Sequence, residues 1–325
     1  MIQNAQSRNN LFTLLIFVSI LLTLMTIVLS AYIRLSTNGL GCEPWPQCYG
    51  YVGALDQYTA KSSFTNAQPQ QPHGFARMLH RVVASALGLF IIMIVAMAMR
   101  MRKRGGPGIG LPFAILGITV FLSVLGYTTP SPWIPAVTVG NLVGGMAMLA
   151  MLWWLGQTYT SPPIQALASA QRLGPLATIA LGGLFAQILL GAWVSGNFAG
   201  PACPGPGLCS GDWLQALNPL RVLATQNGMI VPDEAMPAIH FLHRSGAVLL
   251  LLYLAWFGWQ AKASEPRIKP VVNFMFILLI LQMLVGIGQL VLDLPLALVT
   301  SHNALAALLL MTLVNIRLNL SLPKY

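Results

Sequence analysis

With 325 residues the chain is long enough for two soluble domains, but 56% of it is hydrophobic and only 7% charged, a composition that excludes a soluble globular protein. The formal net charge of +10 carries no nucleic-acid signal, because the basic residues are dealt out between long apolar runs. The predicted architecture is an all-α membrane protein, and the partner its composition implies is the lipid bilayer.

Apolar runs able to cross a hydrocarbon core of roughly 30 Å fall at 11–33, 75–99, 109–128, 134–157, 174–195, 238–260, 271–292 and 295–319. They predict eight transmembrane helices with both termini on one side. The first run is too long for a signal-peptide core and no small-residue cleavage pattern follows it, so it counts as the first helix. The second helix carries His80 and Arg81 near its start, the fourth Asn141, the sixth His240, His243 and Arg244, and the eighth His302. Two connections, 34–74 and 196–237, are long and rich in Pro, Gly and aromatic residues, and are expected to fold over one face of the bundle.

Orientation follows from the basic residues, which short cytoplasmic loops retain. Arg8, Arg100, Arg102, Lys103, Arg104, Arg172, Lys262, Arg267, Lys269, Arg317 and Lys324 lie on the side of the termini. Glu43, Asp56, Asp212, Asp233, Glu234 and Asp293 lie on or near the other. Both termini are therefore expected in the cytoplasm, with the two long loops and all five histidines toward the outer side.

The chain also repeats itself. An offset of 161 brings Cys42 onto Cys203, Cys48 onto Cys209, AYIRLSTNGLGC onto AWVSGNFAGPAC, and Asn141 onto His302. With a slip of two residues, Leu79-His80-Arg81 falls over Leu242-His243-Arg244. The expected arrangement is two tandem four-helix bundles, 1–160 and 161–325, about a pseudo-two-fold axis along the membrane normal, each with an equivalent site.

A histidine inside a span is costly unless it faces the bundle interior, where it either bonds another helix or serves a site. His243 and His302 enter from the same side to similar depths, so their imidazoles can supply both axial ligands of a haem within the bundle. Zinc is disfavoured, because no Cys, Asp or third His accompanies them at matching depth. Arg244 and Arg81 each follow a helix histidine, placed either to pair with a haem propionate or to snorkel to the interface. The pairs in CEPWPQC and CPGPGLC have five intervening residues and lie where disulfides persist. Cys42–Cys48 and Cys203–Cys209 bonds, a redox-active role beside a haem edge and, least, metal binding are the readings they allow.

The run RLSTNGLGCEPWPQCYG, the HR of helix two, QILLGAWVSGNFAGPAC around helix five, HRSGA in helix six and SHNALAALLL in helix eight together resemble the haem A synthase family, in its bacterial form with Cys pairs in the outer loops. The resemblance implies a plasma-membrane oxidoreductase that converts the C8 methyl of haem O to the formyl of haem A by successive hydroxylation and loss of water, for use in cytochrome oxidase. It also implies haem O synthase or oxidase assembly factors as partners. Carried over, it assigns a haem b to His243 and His302 and a substrate haem to the first half, with His80 as a ligand.

Three positions depart from the family pattern, all in the first half. Asn141 stands in NLVGG where a second histidine is expected, Arg77 stands where a glutamate is expected, and Leu122 or a neighbour where a glutamine is expected, while Gln187 and Gln282 are present in the second half. A haem in the first half would be five-coordinate on His80, or take His73 or water as a sixth ligand. The alternative function is a catalytically altered paralogue that carries electrons on a bis-histidine haem b, handles haem or assists oxidase assembly. A tandem-repeat secondary transporter lacks the paired broken helices that such a site requires.

Overall fold

A computed structural model describes residues 2–37, 74–102, 108–128, 134–160, 170–203, 209–226 and 229–320. The spanning helices are α1 Ile2–Thr37, α2 Gly74–Arg102, α3 Gly110–Thr128, α4 Pro135–Thr160, α5 Ala170–Gly196, α6 Ala235–Ser264, α7 Lys269–Val291 and α8 Leu296–Asn319. All eight are long and apolar enough to cross a membrane, which bears out the predicted fold class. Hydrocarbon offers no partner to a backbone amide, so an apolar run of this length settles into helix, where every interior N–H and C=O is bonded within the segment.

Two boundaries differ from the sequence reading. The sixth helix begins at Ala235 rather than at 238, because Pro237 sits in its first turn, where a backbone N–H has no helical partner to lose. The fifth begins at Ala170 and carries Pro175 inside it. Hydroxyls inside the spans bond back to their own helix: Ser19, Thr23 and Thr26 donate to the carbonyls of Leu15, Ser19 and Leu22, each at 2.7 Å.

On α1, Leu11, Leu14, Phe17, Leu21, Met25 and Val28 are exposed while Phe12, Leu15, Ile16, Ser19, Ile20 and Thr23 are buried. Both faces are apolar, and the exposed one faces lipid. The helices of each half contact in a ring: α1 with α2, α2 with α3, α3 with α4 and α4 with α1, then α5 with α6, α6 with α7, α7 with α8 and α8 with α5. The halves meet through α1 with α8, α4 with α5, and α4 with α8.

One core runs through all eight helices, from Phe12, Ile91, Ile115 and Leu149 to Leu173, Phe257, Met275 and Leu310. These residues lie in the part of each helix nearest the termini. The other end of the bundle is packed less tightly and carries the histidines.

The second long connection folds down on that end, as expected. Cys203 and Cys209 form a disulfide. Asp212 caps a one-turn helix, Trp213–Ala216, accepting from the Gln215 N–H at 3.0 Å, and β1 Thr225–Gln226 pairs antiparallel with β2 Met229–Ile230. Phe198, Ala199, Leu223, Ile230 and Ile239 form a satellite core beneath. Phe198 turns the chain off α5 with φ of 55°, a left-handed conformation costly for a bulky residue, held here by its buried ring. Arg221 and Asp233 form an ion pair across this cap. Cys42, Cys48 and His73 lie outside the described residues.

Candidate functional site

In the second half, α6 and α8 bring the His243 and His302 rings face to edge across the bundle, with centroids 6.5 Å apart and planes at 70°. A metal bonded to both imidazoles at about 2 Å places the ring centroids roughly 6 Å apart. The observed separation is close to that value. Among the described residues no group of three His, Cys, Asp or Glu side chains gathers to hold a metal.

Two glycines make the rings' positions attainable. A Cβ on Gly191 of α5 would stand 3.0 Å from His243 Cε1, and one on Gly286 of α7 would stand 3.3 Å from His302 Cε1. Each imidazole thus packs on a bare stretch of neighbouring helix. Gln187, one turn before Gly191, lies 2.9 Å from His243 Nδ1 and donates to the His243 carbonyl at 2.9 Å. A carboxamide N–H donates, so Nδ1 accepts and a neutral ring carries its proton on Nε2; ligation of a metal through Nε2 requires the Gln187 carboxamide to turn over and accept from Nδ1–H. On the other side His302 Nδ1 and Gln282 Oε1 are both buried without a partner among the described residues. Gln187 and Gly191 in α5 share their spacing with Gln282 and Gly286 in α7, a signal present in the sequence whose meaning rests on the ring contacts. Gln187→Leu is expected to loosen an iron porphyrin held between the histidines by roughly 10–100-fold. Faster loss of the bis-histidine absorbance to a haem-scavenging protein would report it, and an unchanged rate would mean that Gln187 does not orient the ring.

Arg244 does not simply snorkel. Its Nη2 donates to the Cys203 carbonyl at 2.5 Å, Nη1 lies 3.4 Å from Cys203 Sγ, and Nε donates to His240 Nε2 at 3.2 Å. The guanidinium therefore clasps the disulfide loop to α6 one turn from His243. His240 is buried, with Nδ1 unpartnered among the described residues.

The first half holds a cavity of about 690 Å³ in place of a facing pair. That lies within the roughly 300–1,000 Å³ typical of cofactor and ligand sites. His80 and Arg81 of α2, Arg34 of α1, and Asn141 of α4 all line it, as do Thr26, Leu122 and Gly126. His80 is the sole imidazole on its wall, and no Asp or Glu is present there among the described residues. Arg34 reaches across to bond Ser195 of α5, its counterpart at the repeat offset of 161. Sequence reasoning passed over Arg34, whose place beside the cavity depends on how α1 rotates. Arg77 is exposed on α2 and takes no part in the cavity wall. Arg77 thus adds no cation to the cavity wall.

Comparison with known proteins yields one family and several relatives. A family described as cytochrome oxidase assembly protein, COX15-CtaA, matches residues 13–314. The chain is 32% identical over 317 residues to the heme A synthase of Shewanella oneidensis, covering 94% of this chain and 95% of that one. It is 26% identical to the heme A synthase of Shouchella clausii over 82% of this chain and 80% of that one. With the heme A synthase of Maricaulis maris it shares 32% identity over 52% of this chain and 49% of that one.

Proposed function

The chain belongs to the COX15-CtaA family of cytochrome oxidase assembly proteins, and from this we propose that it is a haem A synthase, oxidising the C8 methyl of haem O to a formyl group for use in cytochrome oxidase. The observation that carries the reading is the pairing of two unlike sites in one bundle. The His243 and His302 rings face each other with centroids 6.5 Å apart, a separation that suits two axial ligands of one iron, whereas among the described residues the cavity of the first half offers its ligand one imidazole, that of His80. Saturated coordination suits an electron carrier and unsaturated coordination suits a metal centre that must react.

In this reading the half 161–325 holds a resident haem b and the half 1–160 holds the substrate. Bound haem b supplies a one-electron relay beside the cavity. His243 and His302 would hold it at depth, and Gln187, with its carboxamide turned to accept from Nδ1–H, would orient the His243 ring. Arg244 braces the outer loop over it. In the cavity His80 binds the substrate iron while Arg81 and Arg34 present guanidiniums to its carboxylates. With no carboxylate on its wall among the described residues, the cavity would move protons through hydroxyls, amides and water. The family likeness supports a bacterial plasma membrane, where haem O synthase and oxidase assembly factors are the fitting partners, and the distribution of Lys and Arg supports both termini being cytoplasmic.

Asn141 supports a second reading, in which the protein carries or hands over haem without oxidising it. The test is to express the chain with a haem O supply in a host that lacks its own haem A synthase, then extract and separate the haems. Haem A is the expected product. Haem b alone, under conditions where another haem A synthase yields haem A, would overturn the assignment in favour of the second reading.

A further inference from the structure

We infer that Asn303, on the eighth helix of the second half, is a positioning residue of the first-half cavity, its carboxamide hydrogen-bonding the tetrapyrrole bound on His80; this rests on the cavity being a tetrapyrrole site. The cavity is walled by α1 to α4 except at one point, where Asn303 of α8 completes it. Consecutive residues of a helix point about 100° apart. His302 turns toward Gly286 on α7, so its neighbour Asn303 faces the other way, into the seam where α8 packs on α1 and α4. One turn of helix thus serves both sites, His302 on one side and Asn303 on the other.

The chemistry of the side chain supports a ligand contact. A carboxamide within a membrane span is costly unless it is bonded, and a purely structural asparagine at a helix seam would bond across it. Among the described residues neither Asn303 nor Asn141, the other carboxamide on the wall, has a hydrogen-bond partner. Both open onto the cavity instead. At the repeat offset Asn303 corresponds to Leu142 and His302 to Asn141, so the two helices present carboxamides to the same space from positions that are not repeat partners. The first-half site is therefore incomplete without a residue of the second half.

The probe is zinc protoporphyrin, which carries the two propionates and takes one axial ligand. It is titrated into the full-length protein loaded with haem b, and binding is read as quenching of its emission by that haem. Asn303→Leu is expected to weaken binding about tenfold, the loss of one hydrogen bond, with the bis-histidine spectrum unchanged. Asn303→Gln, which keeps the carboxamide, is expected to stay within about threefold of the parent. Should Asn303→Leu fail to assemble, Asn303→Ala carries the same expectation. Parental affinity in the Leu or Ala variant overturns the inference, and so does equal loss in the Gln and Leu variants together with a disturbed bis-histidine spectrum, which would mark a packing role. Parental affinity in His80→Ala is a different result: it would remove the tetrapyrrole reading of the cavity itself.

Discussion

Substituting Ala for His243, or for His302, is expected to abolish the low-spin bis-histidine spectrum of the purified protein and, with it, retention of haem b through detergent extraction. Each imidazole is one of only two protein ligands that the site offers, and neither has a neighbour able to replace it. Gly191 and Gly286 leave space against the rings but no donor atom. Gln187 lies on the far nitrogen of His243, and an amide is a poor ligand to haem iron. The one imidazole in reach along α6 is His240, a turn away, and its Nε2 already accepts from Arg244. His240→Ala should therefore leave the spectrum in place. A low-spin spectrum that survived His243→Ala and vanished in His240→Ala would move the axial ligand by one turn and overturn the site as described. Optical and paramagnetic resonance spectra of the three variants decide it.

The second large effect is expected from His80→Ala. Haem A formation should fall by at least about 100-fold, as expected when the ligand that positions the reacting group is lost, while the bis-histidine spectrum persists. The separation of effects follows from the place in the fold: His80 lies on α2, on the wall of the first-half cavity, and α2 packs on α1 and α3. Haem A produced at the parental rate by His80→Ala would show that the substrate iron is not held there. Asn141→His tests the same wall in the opposite direction. It adds the imidazole that the repeat partner His302 has, and is expected to convert a one-imidazole cavity into a second bis-histidine site, seen as additional low-spin haem bound per protein.

Much of this was legible beforehand. The eight spans, the grouping of the histidines at one end, the His243 and His302 pair and the Cys203–Cys209 disulfide all follow from residue type and spacing. The roles of Arg244 and Arg77 did not. Both arginines lie near the same end of the bundle, one engaged with Cys203 and His240 and the other exposed outside the cavity. Composition and register treat them alike, because the difference is one of helix rotation. Arg34 and Asn303 were missed for the same reason, each facing a space that neighbouring helices create.

By itself the sequence determines how many times the chain crosses the bilayer and to what depth each histidine is carried. Hydrocarbon thickness imposes a minimum apolar length, and unbonded backbone is not tolerated there, so length and composition suffice. Which faces of those helices meet is decided only in the tertiary structure. A helix that is apolar all round has no polar face to direct its rotation, and close packing settles the matter through a few small residues. That packing sets His243 against Gly191 and His302 against Gly286. It also leaves open the space beside His80.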